Sequence, residues 1–257
     1  MNQRFALHFS HLPIVQRLLY TGAIGVLSFG YLFAMIYIFE SHHNRDGKPG
    51  LSVQDIVIAY SGSKTGTKLE AALKGPMSGM LPTEENVQII AWLHEGAKQA
   101  EYDAGLKNIF NDRCITCHNS RNPHLPSLES YEGIKKMAAE DTGADIFTLV
   151  RVSHIHLFGL TFIFFVVSMV FIHAYMRHEW IKITLIVIPF VSIIFDILSW
   201  YLTKIYQPIA WVVVGSGALM GMSFAAQVLI SLYQMWLYKL PDEVQQQFYC
   251  SLPQRKP

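Results

Sequence analysis

The chain has little charge and few cysteines, and each scarcity excludes a class of protein. Only 15% of its 257 residues are charged and the formal net charge is +1, whereas soluble domains average about 25% charged residues. A nucleic-acid-binding protein would need a basic face, which this charge balance does not favour. Hydrophobic residues make up 51% of the chain and are unevenly distributed. The composition therefore indicates a membrane protein with one soluble insert.

Four apolar segments are long enough to cross a membrane as helices, because about twenty residues span its hydrocarbon core. They cover residues 18–39, 156–176, 181–202 and 209–237. The first is longer than the apolar core of a cleaved signal peptide, so we interpret it as an anchor helix. The predicted fold is mostly α: four transmembrane helices, with a small α-helical domain inserted between helices 1 and 2.

The predicted domains follow from this pattern. Residues 1–40 form a cytoplasmic N-terminus with the anchor, 41–153 the insert, 154–239 a three-helix bundle and 240–257 a cytoplasmic tail. Basic residues cluster at one end of the predicted helices, which the positive-inside rule assigns to the cytoplasm: Arg4, Arg17, Arg177, Lys182, Lys239, Arg255 and Lys256. The insert is then expected outside.

The most specific motif is Cys114-Ile115-Thr116-Cys117-His118. Two cysteines three residues apart with an adjoining histidine are the attachment sequence for a c-type haem. A redox CxxC would need a βαβ context, and a zinc site would need two further ligands. The third cysteine, Cys250, is far from the motif. The motif therefore predicts one covalent haem c, held by Cys114 and Cys117 with His118 as the proximal iron ligand.

The insert resembles class I c-type cytochromes, with its parts in an unusual order. Residues 101–112 lead into the motif like that family's first helix, and residues 126–137 resemble its middle segment. The family's methionine loop, however, corresponds to residues 75–82, GPMSGMLP, upstream of the motif. Residues 83–97 follow, with Trp92, Gly96 and Ala97 matching the family's closing helix. The resemblance implies a circularly permuted cytochrome fold within residues 41–153.

That closing helix also has signals of its own. Thr83 is predicted to cap it, Glu84 and Glu85 complement its N-terminal dipole, and Gly96 suits its end. Its predicted apolar face consists of Val87, Ile90, Ala91 and Trp92.

The resemblance implies a methionine as the distal iron ligand. Met80 is the first choice, with Met77 and His154 as alternates. Met77 and Met80 could instead simply fill gaps in the core, as methionine often does. His94 and His124 are weaker candidates that we expect at the surface.

Polar residues near or within the predicted spans suggest further sites. His42, His43, His154 and His156 are expected where the insert meets the bilayer, either binding a second metal, a haem or a quinol, or merely favouring the wet interface. Asp196 is an ionisable group in the third span, a position that often serves proton transfer. It could equally be a protonated side chain bonded to Thr161, Ser199 or Gln227. A b-type haem at the other end, near His8, His11, His173 and His178, is not expected.

These features predict a membrane-bound mono-haem c-type cytochrome of the bacterial inner membrane. It would relay electrons at the periplasmic face as part of a respiratory complex, and its partners would be the lipid bilayer and other redox proteins. The alternative is a quinol-oxidising enzyme subunit that uses Asp196 and His156 as catalytic groups. A haem-based redox or gas sensor is a third class, and it would require an open iron site.

Overall fold

The computed structural model describes residues 8–63, 66–75, 77–123, 125–242 and 245. The predicted tail beyond these residues, with Cys250, Arg255 and Lys256, lies outside them, as do Arg4 and His124. The described chain is mostly helical. Its helices are α1 (Ile14–His42), α2 (Val53–Ser61), α3 (Lys68–Lys74), α4 (Thr83–His94), α5 (Gln99–Glu101), α6 (Lys107–Ile109), α7 (Tyr131–Met137), α8 (Ile146–Phe171), α9 (Glu179–Thr203) and α10 (Ala210–Trp236).

Four helices are long and apolar enough to cross a membrane, which confirms the predicted fold class. They are Ile14–His42, Ile146–Phe171, Glu179–Thr203 and Gln207–Trp236, the last including the short 3₁₀ turn before α10. The bounds predicted for the second span were wrong. Helix α8 begins at Ile146 and not near residue 156, so His154 and His156 lie inside the helix. It ends at Phe171, and His173 lies beyond it.

The chain divides into two compact units. Unit 1 comprises Met1–Phe33, Val152–Ile197 and Val213–Pro257, and unit 2 comprises Ala34–Arg151 and Leu198–Val212. Unit 2 therefore contains nearly all of the predicted insert together with the adjoining ends of the membrane helices. The predicted domain limits, which were drawn at the edges of the apolar segments, remain predictions.

Unit 1 is held together by a polar network around a proline. Pro189 lies inside α9 and has no N–H, so the Leu185 carbonyl one turn earlier loses its helical partner. Two side chains of α10 replace it: Ser223 Oγ donates to this carbonyl at 2.6 Å and Gln227 Nε2 at 2.8 Å. Ser168 of α8 donates to Gln227 Oε1 at 2.9 Å. Gln227 thereby joins three helices and is fully buried.

At one end of unit 1, the chain before α1 meets the connector between α8 and α9. His8 Nε2 lies 3.2 Å from Gln234 Oε1 of α10. The same amide accepts from Tyr175 N at 2.6 Å and donates to Tyr175 O at 2.8 Å. Burial lowers the pKa of His8, and the hydrogen bond with Gln234 opposes that shift.

An apolar core in unit 2 includes residues on both sides of the Cys114–His118 motif. Its buried members are Leu69, Leu73, Ile89, Trp92, Leu93, Ala97, Tyr102, Leu106, Phe110, Leu128 and Ile134. Trp92 lies 6.1 Å from Tyr102 and 6.2 Å from Phe110, measured between ring centroids. These contacts pack α4 against the helical stretch that leads into the motif.

The predicted apolar face of α4 was partly wrong. Trp92 is buried and Ile90 packs against the core, but Val87 and Ala91 are exposed, and Ile89 and Leu93 are buried in their place. Thr83 is the first residue of the helix; the N-cap position belongs to Pro82, which forms no side-chain cap. The predicted end is confirmed, because Gly96 has φ +93° and terminates the helix.

A lysine at the end of α9 ties unit 2 together. Lys204 Nζ donates to three backbone carbonyls, those of Tyr60, Thr142 and Ala144, each at 2.8 Å. Burial lowers the pKa of this lysine, and Asp141 and Asp145 oppose that shift. Tyr60 also stacks on Trp200, with ring centroids 5.9 Å apart. The last turn of α9 is thus fixed to α2 and to the segment that precedes α8.

Candidate cofactor-attachment site

The Cys114–His118 motif lies at the end of a helical stretch that begins with α5. Two π-helical turns, Tyr102–Leu106 and Phe110–Cys114, interrupt the α-helical hydrogen bonding of this stretch. Phe110 is fully buried and anchors the last turn in the core. The motif continues for one more turn, in which His118 N donates to Cys114 O at 2.8 Å. Cys114 and His118 are therefore held one helical turn apart.

The His118 ring is oriented by a backbone carbonyl. Its Nδ1 lies 3.0 Å from Pro126 O. A carbonyl oxygen only accepts, so Nδ1 carries the proton and the lone pair of the neutral ring is on Nε2. Histidines that ligate metals generally donate their other ring N–H to such an acceptor, which fixes the ring and raises its basicity. His118 has the tautomer that an iron ligand bound through Nε2 requires.

The loop after the motif is closed by several hydrogen bonds. Leu128 N donates to His118 O at 2.9 Å. The Glu129 carboxylate accepts from Ser120 N at 2.9 Å and from Ser127 Oγ at 3.2 Å. These bonds join the chain just after His118 to the chain around Pro126. The position of the Pro126 carbonyl is therefore set by the closure of the loop.

The two cysteines have different surroundings. Cys114 is half-buried and packs against the core of unit 2, whereas Cys117 is exposed. Burial, assisted by the nearby Glu85 carboxylate, raises the pKa of the Cys114 thiol to about 11. Glu85 is itself paired with Arg113, whose Nε and Nη2 each lie 3.0 Å from one of its carboxylate oxygens. This ion pair links the first turn of α4 to the residue before Cys114.

The two candidate methionines also differ. Met77 is half-buried and packs against the same core as Cys114, and its N–H donates to Ala72 O at 2.8 Å. Met80 is 68% exposed. Pro76 of the same loop lies outside the described residues. The choice of Met80 as distal ligand, with Met77 and His154 as alternates, remains a prediction.

The residues present fit a covalently attached haem. Two thiols lie on the last helical turns, and an imidazole with its Nδ1 proton engaged follows at once. Among the residues that the structure describes, no three His, Cys, Asp or Glu side chains are arranged to hold a metal ion. A c-type haem needs no such cluster, since its iron is already held by the porphyrin and takes axial ligands only.

Comparison with known proteins bears on the membrane part. A family model described as a transmembrane helical domain matches residues 130–242. The matched region is less than half of the chain and extends from α7 to the residues after α10. It does not include the motif. Neither the curated proteins nor the solved structures contain a match.

Asp196, within the matched region, is buried in α9 with 7% of its surface exposed. It lies near enough to Tyr31 of α1 for the two groups to interact electrostatically. Tyr31 stacks on Phe224 of α10, with ring centroids 4.4 Å apart, and its Oη lies over Gly221. Gln227, which the sequence offered as a partner of Asp196, bonds instead to Leu185 O and Ser168. Tyr31 was missed, because an aromatic residue in a membrane helix carries no signal of its own.

Three of the candidate histidines donate to a backbone carbonyl one turn earlier in the chain. His42, His43 and His156 each place Nδ1 within 3.0 Å of the carbonyl four residues earlier. His154 is exposed. Tyr20 stacks on His173 with ring centroids 5.6 Å apart.

Proposed function

We propose that this protein is a membrane-anchored mono-haem c-type cytochrome that relays electrons. The observation that carries the proposal is the hydrogen bond between His118 Nδ1 and Pro126 O, directly after a CxxCH sequence. This bond holds the His118 ring with its proton on Nδ1, which leaves Nε2 to ligate an iron. The bound haem would supply reversible one-electron chemistry.

In this proposal each residue of the site has a distinct task. Cys114 and Cys117 form the thioether links, and the burial of Cys114 ties the attachment point to the core. His118 binds the iron through Nε2 while Nδ1 remains bonded to Pro126. The ion pair between Glu85 and Arg113 holds the end of the helical stretch against α4, which follows the methionine loop.

Met80 is proposed as the distal ligand. Met77 already packs against the apolar core, so turning it towards an iron would remove apolar contacts from that core. Met80 is exposed, so its thioether would turn towards an iron without that loss of apolar contacts. A thioether ligand would raise the reduction potential relative to a second histidine.

A pyridine haemochrome spectrum with haem quantification tests the proposal directly. One haem c per chain is expected, lost in a Cys114→Ala/Cys117→Ala variant. Absence of covalent haem from protein made in a host with a c-type maturation system would contradict the proposal. The near-infrared charge-transfer band of methionine-ligated ferric haem should disappear in Met80→Ala and persist in Met77→Ala. Carbon monoxide binding to the native reduced protein would instead indicate an open iron site and a sensor.

The proposed location is the bacterial inner membrane, with unit 2 carrying the haem at the periplasmic face and both termini in the cytoplasm. The positive-inside rule supports it: Arg17 lies in the first turn of α1, and Arg177 lies in the connector between α8 and α9. Periplasmic attachment of haem c, implied by the resemblance to c-type cytochromes, leads to the same orientation. The partners would then be respiratory subunits or soluble redox proteins.

A second candidate, a quinol-oxidising subunit, is favoured by one observation. Asp196 is an ionisable residue buried within a membrane span, and such residues often accept or pass protons. Reduction of the haem by a quinol analogue, abolished in Asp196→Asn or His156→Ala, would support this function. If the purified protein is not reduced without a partner, the relay function is favoured.

A further inference from the structure

The attachment motif is followed by a loop whose two sides are joined by one carboxylate. Ser120 is two residues after His118, and Ser127 directly follows Pro126. Glu129 accepts a hydrogen bond from each of them, and both bonds end on the same atom, Oε2. Glu129 thus links the two sequence positions that determine where His118 and the Pro126 carbonyl stand relative to each other.

The carboxylate is well suited to this task at neutral pH. The hydrogen bonds from the Ser120 backbone and side chain lower the pKa of Glu129, and Arg121 contributes in the same direction. The group is therefore ionised and accepts only. Hydrogen bonds to an ionised acceptor are generally stronger than those to a neutral one; here the bond from Ser120 N measures 2.9 Å and that from Ser127 Oγ 3.2 Å.

We propose that Glu129 is a positioning residue of the haem site, which holds the Pro126 carbonyl in line with His118 Nδ1. This inference rests on the proposed function. A firm Nδ1–H···O bond makes the imidazole a stronger electron donor. Stronger donation stabilises ferric over ferrous iron, so Glu129 contributes to a lower reduction potential.

The structure offers variants that separate positioning from charge. Glu129→Ala removes the acceptor and the charge, whereas Glu129→Gln removes the charge but keeps an oxygen that can accept from both serines. Ser127→Ala removes one hydrogen bond and no charge. Glu132→Ala, at an exposed position three residues further along, removes a nearby charge and serves as the control.

The experiment uses the full-length, haem-loaded protein in detergent. The reduction potential is measured by redox titration. Exchange of the His118 Nδ1 proton with solvent is measured by NMR in the reduced state. In Glu129→Ala we expect a higher potential and exchange about tenfold faster, the factor that corresponds to roughly one net hydrogen bond. Ser127→Ala should change both quantities in the same direction by less, and Glu129→Gln should exchange its proton nearly as slowly as the unchanged protein.

Two results would overturn the inference. One is an unchanged Nδ1 exchange rate in Glu129→Ala. The other is an equal rise in potential in Glu129→Ala, Glu129→Gln and Glu132→Ala, which would show an effect of charge alone. Both are distinct from failure of the proposed function, which would appear as the absence of covalent haem from the unchanged protein.

Discussion

From the hydrogen bonds around Pro189 we predict how much the pairing of the Leu185 carbonyl stabilises the membrane helices. Replacing Gln227 with Leu removes its hydrogen bonds with Leu185 O, with Ser168 Oγ and, at 3.2 Å, with Ser223 Oγ. Hydrogen bonds between membrane helices are worth about 0.6 kcal/mol on average and up to about 1.7. The single variant should therefore lose about 1–3 kcal/mol, because the Leu185 carbonyl still accepts from Ser223 Oγ at 2.6 Å.

Replacing Ser223 with Ala in the same chain removes that remaining partner. The Leu185 carbonyl is then unpaired in an apolar interior, which adds about 1–3 kcal/mol to the loss. The two variants together should lose more than the sum of the single variants. Pro189→Ala returns an N–H one turn after Leu185. In the double variant, Pro189→Ala should restore the stability that was lost because the Leu185 carbonyl had no partner. In the chain with Ser223 and Gln227 intact, the same substitution should stabilise less.

The assay is the midpoint of unfolding by sodium dodecyl sulfate in mixed micelles, followed by far-ultraviolet circular dichroism. Ser231→Ala is the matched control, because Ser231 is fully buried on the same helix and its hydroxyl has no hydrogen-bond partner among the described residues. That control should unfold at nearly the same midpoint as the unchanged chain. Additive losses, or a double variant that Pro189→Ala does not rescue, would refute the role assigned to the Leu185 carbonyl.

Four further predictions concern unit 2. Before haem attachment, Cys114 should react with iodoacetamide more slowly than Cys117 at pH 8, and faster as the pH approaches the Cys114 pKa of about 11; equal rates at pH 8 would contradict this. Tyr131→Phe removes a 2.7 Å hydrogen bond to Ala97 O, three residues after α4 ends, and should lower thermal stability by about 1 kcal/mol. Lys204→Met leaves three carbonyls without this donor and should lower the free energy of unfolding by about 2–4 kcal/mol in the same thermal melts. Lys204→Arg should restore only part of this stability, because the planar guanidinium cannot direct three donors from one atom. Burial would raise the pKa of Glu70, but hydrogen bonds from Lys74 and His94 outweigh that effect and lower the pKa. The stability that this shift contributes is present above the ordinary carboxyl pKa and is lost as the pH falls through the lower pKa of the folded state. Glu70→Gln should therefore flatten the acid unfolding curve in that pH range.

The membrane helices could be predicted from the sequence because hydropathy reports them directly, but the start of α8 could not. Residues 146–155 include Arg151 and His154, which interrupt the apolar run. They are nevertheless helical. A local signal was present: Asp145 accepts from Thr148 N at 2.9 Å, as an N-cap residue does. Reading caps as well as hydropathy would have placed this helix correctly.

The candidate site divides in a similar way. The motif cysteines and His118 are evident from spacing alone, because that chemistry requires those residue types at those positions. The Pro126 carbonyl has no sequence signature, since any residue supplies a backbone acceptor. Glu129 likewise looks like an ordinary surface carboxylate until the loop is closed. On α4, helical spacing indicated an apolar face that includes Trp92 but assigned the wrong neighbouring residues to that face. The reason is that Ile89 and Ile90 fit different helical registers equally well.

The order of the segments in unit 2 has a physical consequence. Helix α4 and the stretch that ends at Cys114 are joined by a short connector, and Trp92 contacts Tyr102 and Phe110. Residues so close in sequence meet at little loop-closure entropy, and low contact order favours fast folding. Residues 83–114 can therefore pack as a helical hairpin before more distant segments arrive. Leu128 and Ile134 complete the core from the other side of the motif, and the loop that orients His118 lies between them and Cys117. Cys114 would then be anchored early, and the ring of His118 would be fixed only when α7 docks.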